Sequence, residues 1–83
     1  MARINDSLSW HIHGHAPYGN GQEHEPHVHI ECSDGSSMSV SISGAYVIAG
    51  GLNNSKKQQE ALEWVSDNYS MLMRTWDASV VDN

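Results

Sequence analysis

The chain has 83 residues and a formal net charge of -6, with ten acidic residues against four basic ones. Arg3, Lys56, Lys57 and Arg74 are scattered, so no cationic stripe exists to neutralise phosphates, and this argues against direct nucleic-acid binding. The Met-Ala-Arg-Ile-Asn-Asp start has no apolar signal core, no run nears the roughly 18 apolar residues of a membrane span, and the single Cys32 cannot close an internal disulfide, so a cytoplasmic location is expected.

The first predicted element is a strand over Ser7 to His13, where Trp10 and Ile12 alternate with His11 and His13. His15-Ala-Pro-Tyr-Gly-Asn-Gly-Gln22 has the composition of a loop, and Pro26 holds Glu25 extended before a second strand from His27 to Cys32. Asp34-Gly35-Ser36 is a hairpin signal. The following Ser37-Met38-Ser39-Val40-Ser41-Ile42 is strictly alternating, the cleanest strand in the chain. Ser43-Gly44 can turn into a short fourth strand, Tyr46-Val47-Ile48, closed by Gly50-Gly51.

Successive side chains on a strand point to opposite faces. Trp10, Ile12, Val28, Ile30, Cys32, Met38, Val40 and Ile42 therefore define an apolar face, and His11, His13, His27, His29 and Glu31 a polar one, which the serines join if the hairpin register matches. From Leu52 the period lengthens to about 3.6. Asn54 or Ser55 can cap a helix whose stripe is Ala61, Leu62, Val65, Tyr69, Leu72, Met73 and Trp76. Ser66-Asp67-Asn68 offers fresh capping residues, so one long helix or two consecutive ones are expected. The stripe must be buried against the apolar sheet face. The fold class is α+β: a single small domain over residues 1–83, with a three- or four-stranded, mostly antiparallel sheet and C-terminal helices on one face.

The polar face carries the chemistry. Two histidines at i and i+2 on a strand project together and can chelate one ion, with a third ligand from a neighbouring strand. His27 and His29 have that spacing, His11 or His13 can complete the set, and Glu31 is a candidate carboxylate ligand, so zinc is the cofactor if there is one. The plainer reading is a solvated strand face without a cofactor, which exposed imidazoles and serines also form. Cys32 falls on the apolar side and acts as a small hydrophobe. Ser39 and Ser41 share the histidine face, yet a Ser–His pair without an orienting acid or oxyanion hole carries little weight. Gly50-Gly51 lacks the lysine and further glycines of a phosphate loop and reads as a helix-entry turn. Trp64 and Met71 lie at the edges of the helix stripe, where contact with a partner is an alternative to burial.

The run His24-Glu25-Pro26-His27-Val28-His29-Ile30, an acidic-glycine turn with an alternating strand, and then Ala61-Leu62-Glu63-Trp64, Asn68, Leu72 and Trp76 resemble a family of small bacterial and phage proteins, domain of unknown function 4160. Its pattern reads His-x-Pro-Pro-His-x-His-Val, followed by a helix with Ala-Leu-x-Trp and a closing Leu-Leu-x-x-Trp. The resemblance spans about residues 23–78. The chain departs from it in having one proline instead of two, in Met73 at the second leucine, and in its additional His11-x-His13-x-His15 strand. The resemblance implies association within two-gene cassettes of toxin–antitoxin type and no defined activity; His24, Pro26, His27 and His29 carry over as motif positions without a role.

Two functions follow as expectations. The first is a non-enzymatic protein-binding module of toxin–antitoxin or phage anti-defence type, which inhibits a partner by covering its surface. A basic nucleic-acid-binding protein is a fitting partner for an acidic chain. Its contact residues are expected in Glu23, His24, Glu25, His27, His29 and Glu31. The second is a small zinc-dependent hydrolase or nuclease using the strand histidines. So short a chain has a modest core, so homodimerisation is a further expectation.

Overall fold

The computed structural model of the chain describes residues 2–12 and 26–80. Five strands, β1 (Ala2–Arg3), β2 (Leu8–His11), β3 (His27–Cys32), β4 (Ser37–Ser41) and β5 (Val47–Gly51), form one sheet in chain order, each antiparallel to its neighbour. Helices α1 (Ser55–Asp67) and α2 (Tyr69–Val80) follow. This is the expected α+β arrangement, with four longer strands and a two-residue β1 at one edge. Two residues show no periodicity, so β1 is silent in the sequence. It is set by Asn5, whose side-chain oxygen accepts the backbone N–H groups of Ser7 at 2.8 Å and Leu8 at 3.0 Å and so turns β1 into β2.

The register of the three central strands decides everything above it. Leu8 pairs with Cys32 and Trp10 with Ile30 across β2 and β3; Val28 pairs with Val40 and Ile30 with Met38 across β3 and β4. The apolar residues thus fall on one face. The hairpin between β3 and β4 fixes the register. Asp34 accepts the hydroxyl and the backbone N–H of Ser36, and these bonds hold its exposed carboxyl below the usual carboxylate range. A folded-state pKa below the unfolded one stabilises the turn at pH values above the unfolded value, and that support is lost as the pH falls.

Helix α1 starts where Asn54 accepts the N–H of Lys57 at 3.0 Å, while Gln58 reaches back to accept the N–H of Leu52 at 2.9 Å. Ala61 and Val65 on α1, with Leu72 and Trp76 on α2, close over Leu8, Val28, Ile30, Cys32, Met38, Val40 and Ile42 in one core. Trp64 is not an exposed flank: its ring lies 5.3 Å from that of Trp10 on β2, and Met71 also packs against the core.

The two-helix alternative is the one adopted. Asn68 leaves helical geometry at φ -111° and ψ 24°, its side chain donates to the Trp64 carbonyl at 2.9 Å, and its own carbonyl accepts the Leu72 N–H at 2.9 Å, so it closes α1 and opens α2. The break also corrects the stripe. Tyr69, expected inside, is the first residue of α2, next to the break at Asn68, and is exposed.

The fourth predicted strand is corrected as well. It does not end before Gly50-Gly51 but runs through them, with a register shift opposite Ser39 and Val40. Gly50 pairs with Met38 at φ +76°, and a Cβ there would stand 2.6 Å from the carbonyl oxygen of Ser37. Only glycine fits that approach, and the register shift itself leaves Ile48 as the extra residue, so Gly50-Gly51 stay in the strand and do not turn into a helix.

Gly50→Ala should destabilise the chain by about 2 kcal/mol or more through backbone strain and the clash with Ser37; an unchanged denaturation midpoint would contradict that close approach. Leu72→Ala should cost about 2–5 kcal/mol, because Leu72 is wholly buried beneath α2. Urea unfolding monitored by tryptophan fluorescence reads both.

Candidate functional site

The face of the sheet opposite the core is built by the same alternation. Ser9 and His11 come from β2, His29 and Glu31 from β3, and Ser37 and Ser39 from β4. The ladder aligns them in two rows: His11, His29 and Ser39 are successive partners across the three strands, and so are Ser9, Glu31 and Ser37. Strand pairing brings directly opposite side chains within roughly 5 Å.

The His11 and His29 rings accordingly lie 5.0 Å apart at an interplanar angle of 47°, and His29 Nε2 stands 3.5 Å from Glu31 Oε2. One potential ligand atom from each of His11, His29 and Glu31 lies within 4.8 Å of the other two, and no other group of three such residues occurs among the described ones. All three side chains are half-buried. Glu31 also borders a cleft of about 220 Å³ lined by Arg3, Asp6, Ser7, Leu8, Ser9, Cys32 and Ser33.

The cluster differs from the expected ligand set in His27. Strand alternation puts His27 with His29, and its backbone pairs with Ser41, but its ring packs 4.9 Å from that of Trp76 on α2. It stands outside the group formed by His11, His29 and Glu31. A histidine at the first position of a strand lies at the sheet's end, within reach of a helix crossing there. His13, also expected as a ligand, lies outside the described residues, as do Glu23, His24 and Glu25 of the expected contact region.

The nucleophile candidates are structural. Cys32 is buried in the core, as its place on the apolar side predicts. Ser41 is fully buried: its backbone N–H donates to Tyr46, its carbonyl accepts from Ala45, and its hydroxyl accepts the Gly44 N–H at 3.3 Å, which ties it into the β4–β5 turn. Gly50 and Gly51 sit in a strand, four residues or more before α1, which removes the helix-entry reading.

A family model described as a domain of unknown function, DUF4160, matches residues 18–77, well over half of the chain. The chain belongs to this family. The DUF4160 match takes in β3, β4, β5 and α1 and the first three quarters of α2, and it starts upstream of the motif residues that begin at Glu23. Searches of curated proteins and of solved structures return no match.

Sequence reasoning missed a second surface feature. Tyr46 and Ile48 are 51% and 44% exposed at the β5 edge of the sheet. The signal was the alternation about Val47, which packs on the core and so leaves its neighbours Tyr46 and Ile48 directed away from it.

If Ser41 is a turn residue and Ser39 a surface one, Ser41→Ala should lower stability by about 1–3 kcal/mol, while Ser39→Ala stays within about 0.5 kcal/mol. Paired melting curves of the two variants check this, and equal melting temperatures would refute it.

Proposed function

We propose that this DUF4160 chain is a small acidic, non-enzymatic protein-binding module of the cytoplasm that inhibits a partner by occupying its surface. The observation that carries the reading is the position of the exposed apolar side chains. Tyr46 and Ile48 stand two residues apart on the sheet edge, and the described residues hold only one other large exposed hydrophobic, Tyr69. Aromatic and aliphatic anchors bordered by polar groups are the usual composition of a protein interface, and here the border is the Ser/His face with Glu31. The outer side of β5 is also a sheet edge on which a partner strand can add.

Charge selects the partner class. A chain of net charge -6 meets a basic protein favourably, and a nucleic-acid-binding partner would lose its phosphate site to it. A toxin–antitoxin or phage anti-defence cassette supplies such a partner, in line with what the family resemblance implies. Catalysis is the weaker reading because Cys32 and Ser41 are committed to the core and the turn.

The test is surface binding of the full-length chain to a partner isolated from its native host, at several salt concentrations. Tyr46→Ala with Ile48→Asp should weaken Kd at least about tenfold, equivalent to about 1.4 kcal/mol. Reversing Glu23, Glu25 and Glu31 to Lys together should slow association and flatten its salt dependence. Unaltered kinetics in both variants would place the interface elsewhere and remove this reading.

A further inference from the structure

The cluster of His11, His29 and Glu31 carries a metal-type donor set that contact with a partner protein does not require. We propose that these three side chains form a binding site for a divalent transition-metal ion, with zinc the ion of first choice. The inference does not depend on the interaction reading.

Three observations support it. The first is the donor set: two imidazole nitrogens and one carboxylate oxygen suit zinc and its neighbours in the transition series, whereas calcium and magnesium require six or more oxygens or a shell of retained waters. The second is distance. A tetrahedral zinc with ligands at 2.0–2.2 Å places its donor atoms about 3.3 Å from one another. His29 Nε2 and Glu31 Oε2 already stand 3.5 Å apart, and the whole set lies within 4.8 Å, so closure requires movement of no more than roughly 1.5 Å, mainly at His11. Half-buried rings can turn that far about χ1 and χ2. The third is rigidity. His29 and Glu31 share one strand at i and i+2, and His11 is the direct ladder partner of His29, so the backbone fixes all three origins.

Three protein ligands leave one tetrahedral position open. A water or a partner's donor group can complete the shell, and Glu31 alone of the three also borders the cleft lined by Arg3, Ser7 and Ser9. The ligand set excludes His27, whose ring is against Trp76. It thereby differs from one built on the His27-x-His29 spacing, and the difference can be measured.

The experiment titrates zinc ion into the tag-free full-length chain against a chromophoric chelator, and cobalt ion is used in parallel to read coordination from its visible d–d bands. The expected result is one zinc per chain, with magnesium and calcium failing to compete. His11→Ala and His29→Ala should each weaken zinc binding by about 100-fold or more, above the roughly 10–100-fold cost of losing a hydrogen bond to a metal ligand. Glu31→Gln should weaken it by about tenfold or more, and His27→Ala should leave it within about twofold. Circular dichroism of the metal-free variants checks that the fold is kept. Ser39→His supplies an independent gain: it places a third imidazole, and so a fourth ligand, opposite His29 on the same row and should tighten zinc and intensify the tetrahedral cobalt bands. No stoichiometric zinc, or binding lost in His27→Ala and kept in His11→Ala, would overturn the proposal. So would binding lost when His13, His15 and His24 are replaced together by Gln but kept in His11→Ala and His29→Ala, because those histidines would then hold the ion. A Ser39→His chain with unchanged affinity and cobalt spectrum would count against it equally.

Discussion

A single antiparallel sheet with one apolar face must cover that face, and the rest of this molecule is arranged by that requirement. Val28, Ile30, Met38 and Val40 are wholly or almost wholly removed from water, and Ala61, Val65 and Leu72 are what remove them. Each large side chain buried there contributes roughly 1.5–3 kcal/mol, against the conformational entropy of ordering a chain this short. The interlocking of β2, β3 and β4 in one register is what keeps the apolar residues together. A slip of one residue at the Asp34–Ser36 hairpin would send Met38 and Val40 to the other side, so the turn that Asp34 and Ser36 pin has consequences well beyond itself.

The same register assembles the polar face as its necessary complement. Because side chains alternate, every pairing that aligns two core residues also aligns two polar ones, and the row of His11, His29 and Ser39 is the counterpart of the row of Trp10, Ile30 and Met38. The imidazoles are therefore held by the core without contributing to it. Their composition can change at little cost in stability, which is the condition under which a surface can be devoted to recognition or to an ion.

The edge of the sheet is governed by a different constraint. At Gly50 the chain of β5 comes so close to Ser37 that no Cβ fits, and two residues earlier a bulge at Ile48, between the Ala49–Ser39 and Val47–Val40 pairs, shifts the register. Val47 still packs on the core, but Ile48 and Tyr46 are left exposed. A bulge commonly blunts an edge strand against indefinite pairing, and here it also sets two apolar side chains at the margin of the polar face. The His11–His29–Glu31 cluster on β2 and β3 and the apolar edge on β5 are consequently separate parts of the same sheet.

The division between sequence and tertiary structure follows from which patterns are local. Period-two alternation from His27 to Cys32 and from Ser37 to Ser41, and the 3.6-residue spacing of Ala61, Val65, Leu72 and Trp76, are written in neighbouring residues, so the strands, the helices, the core and the two faces of the sheet were legible. His11, His29 and Glu31 were legible as candidates for the same reason. Their convergence was not, because it depends on His11 meeting His29 across a ladder whose register no single strand encodes. The departure of His27 to Trp76 depends on where α2 crosses the sheet's end, a contact between residues nearly fifty positions apart. The close approach at Gly50, the bulge at Ile48, Tyr69 outside the stripe and the two-residue β1 likewise rest on contacts and local breaks that carry no periodic signal. Local pattern decided which residues face each other's side of the sheet, and only the packed chain decided which of them meet.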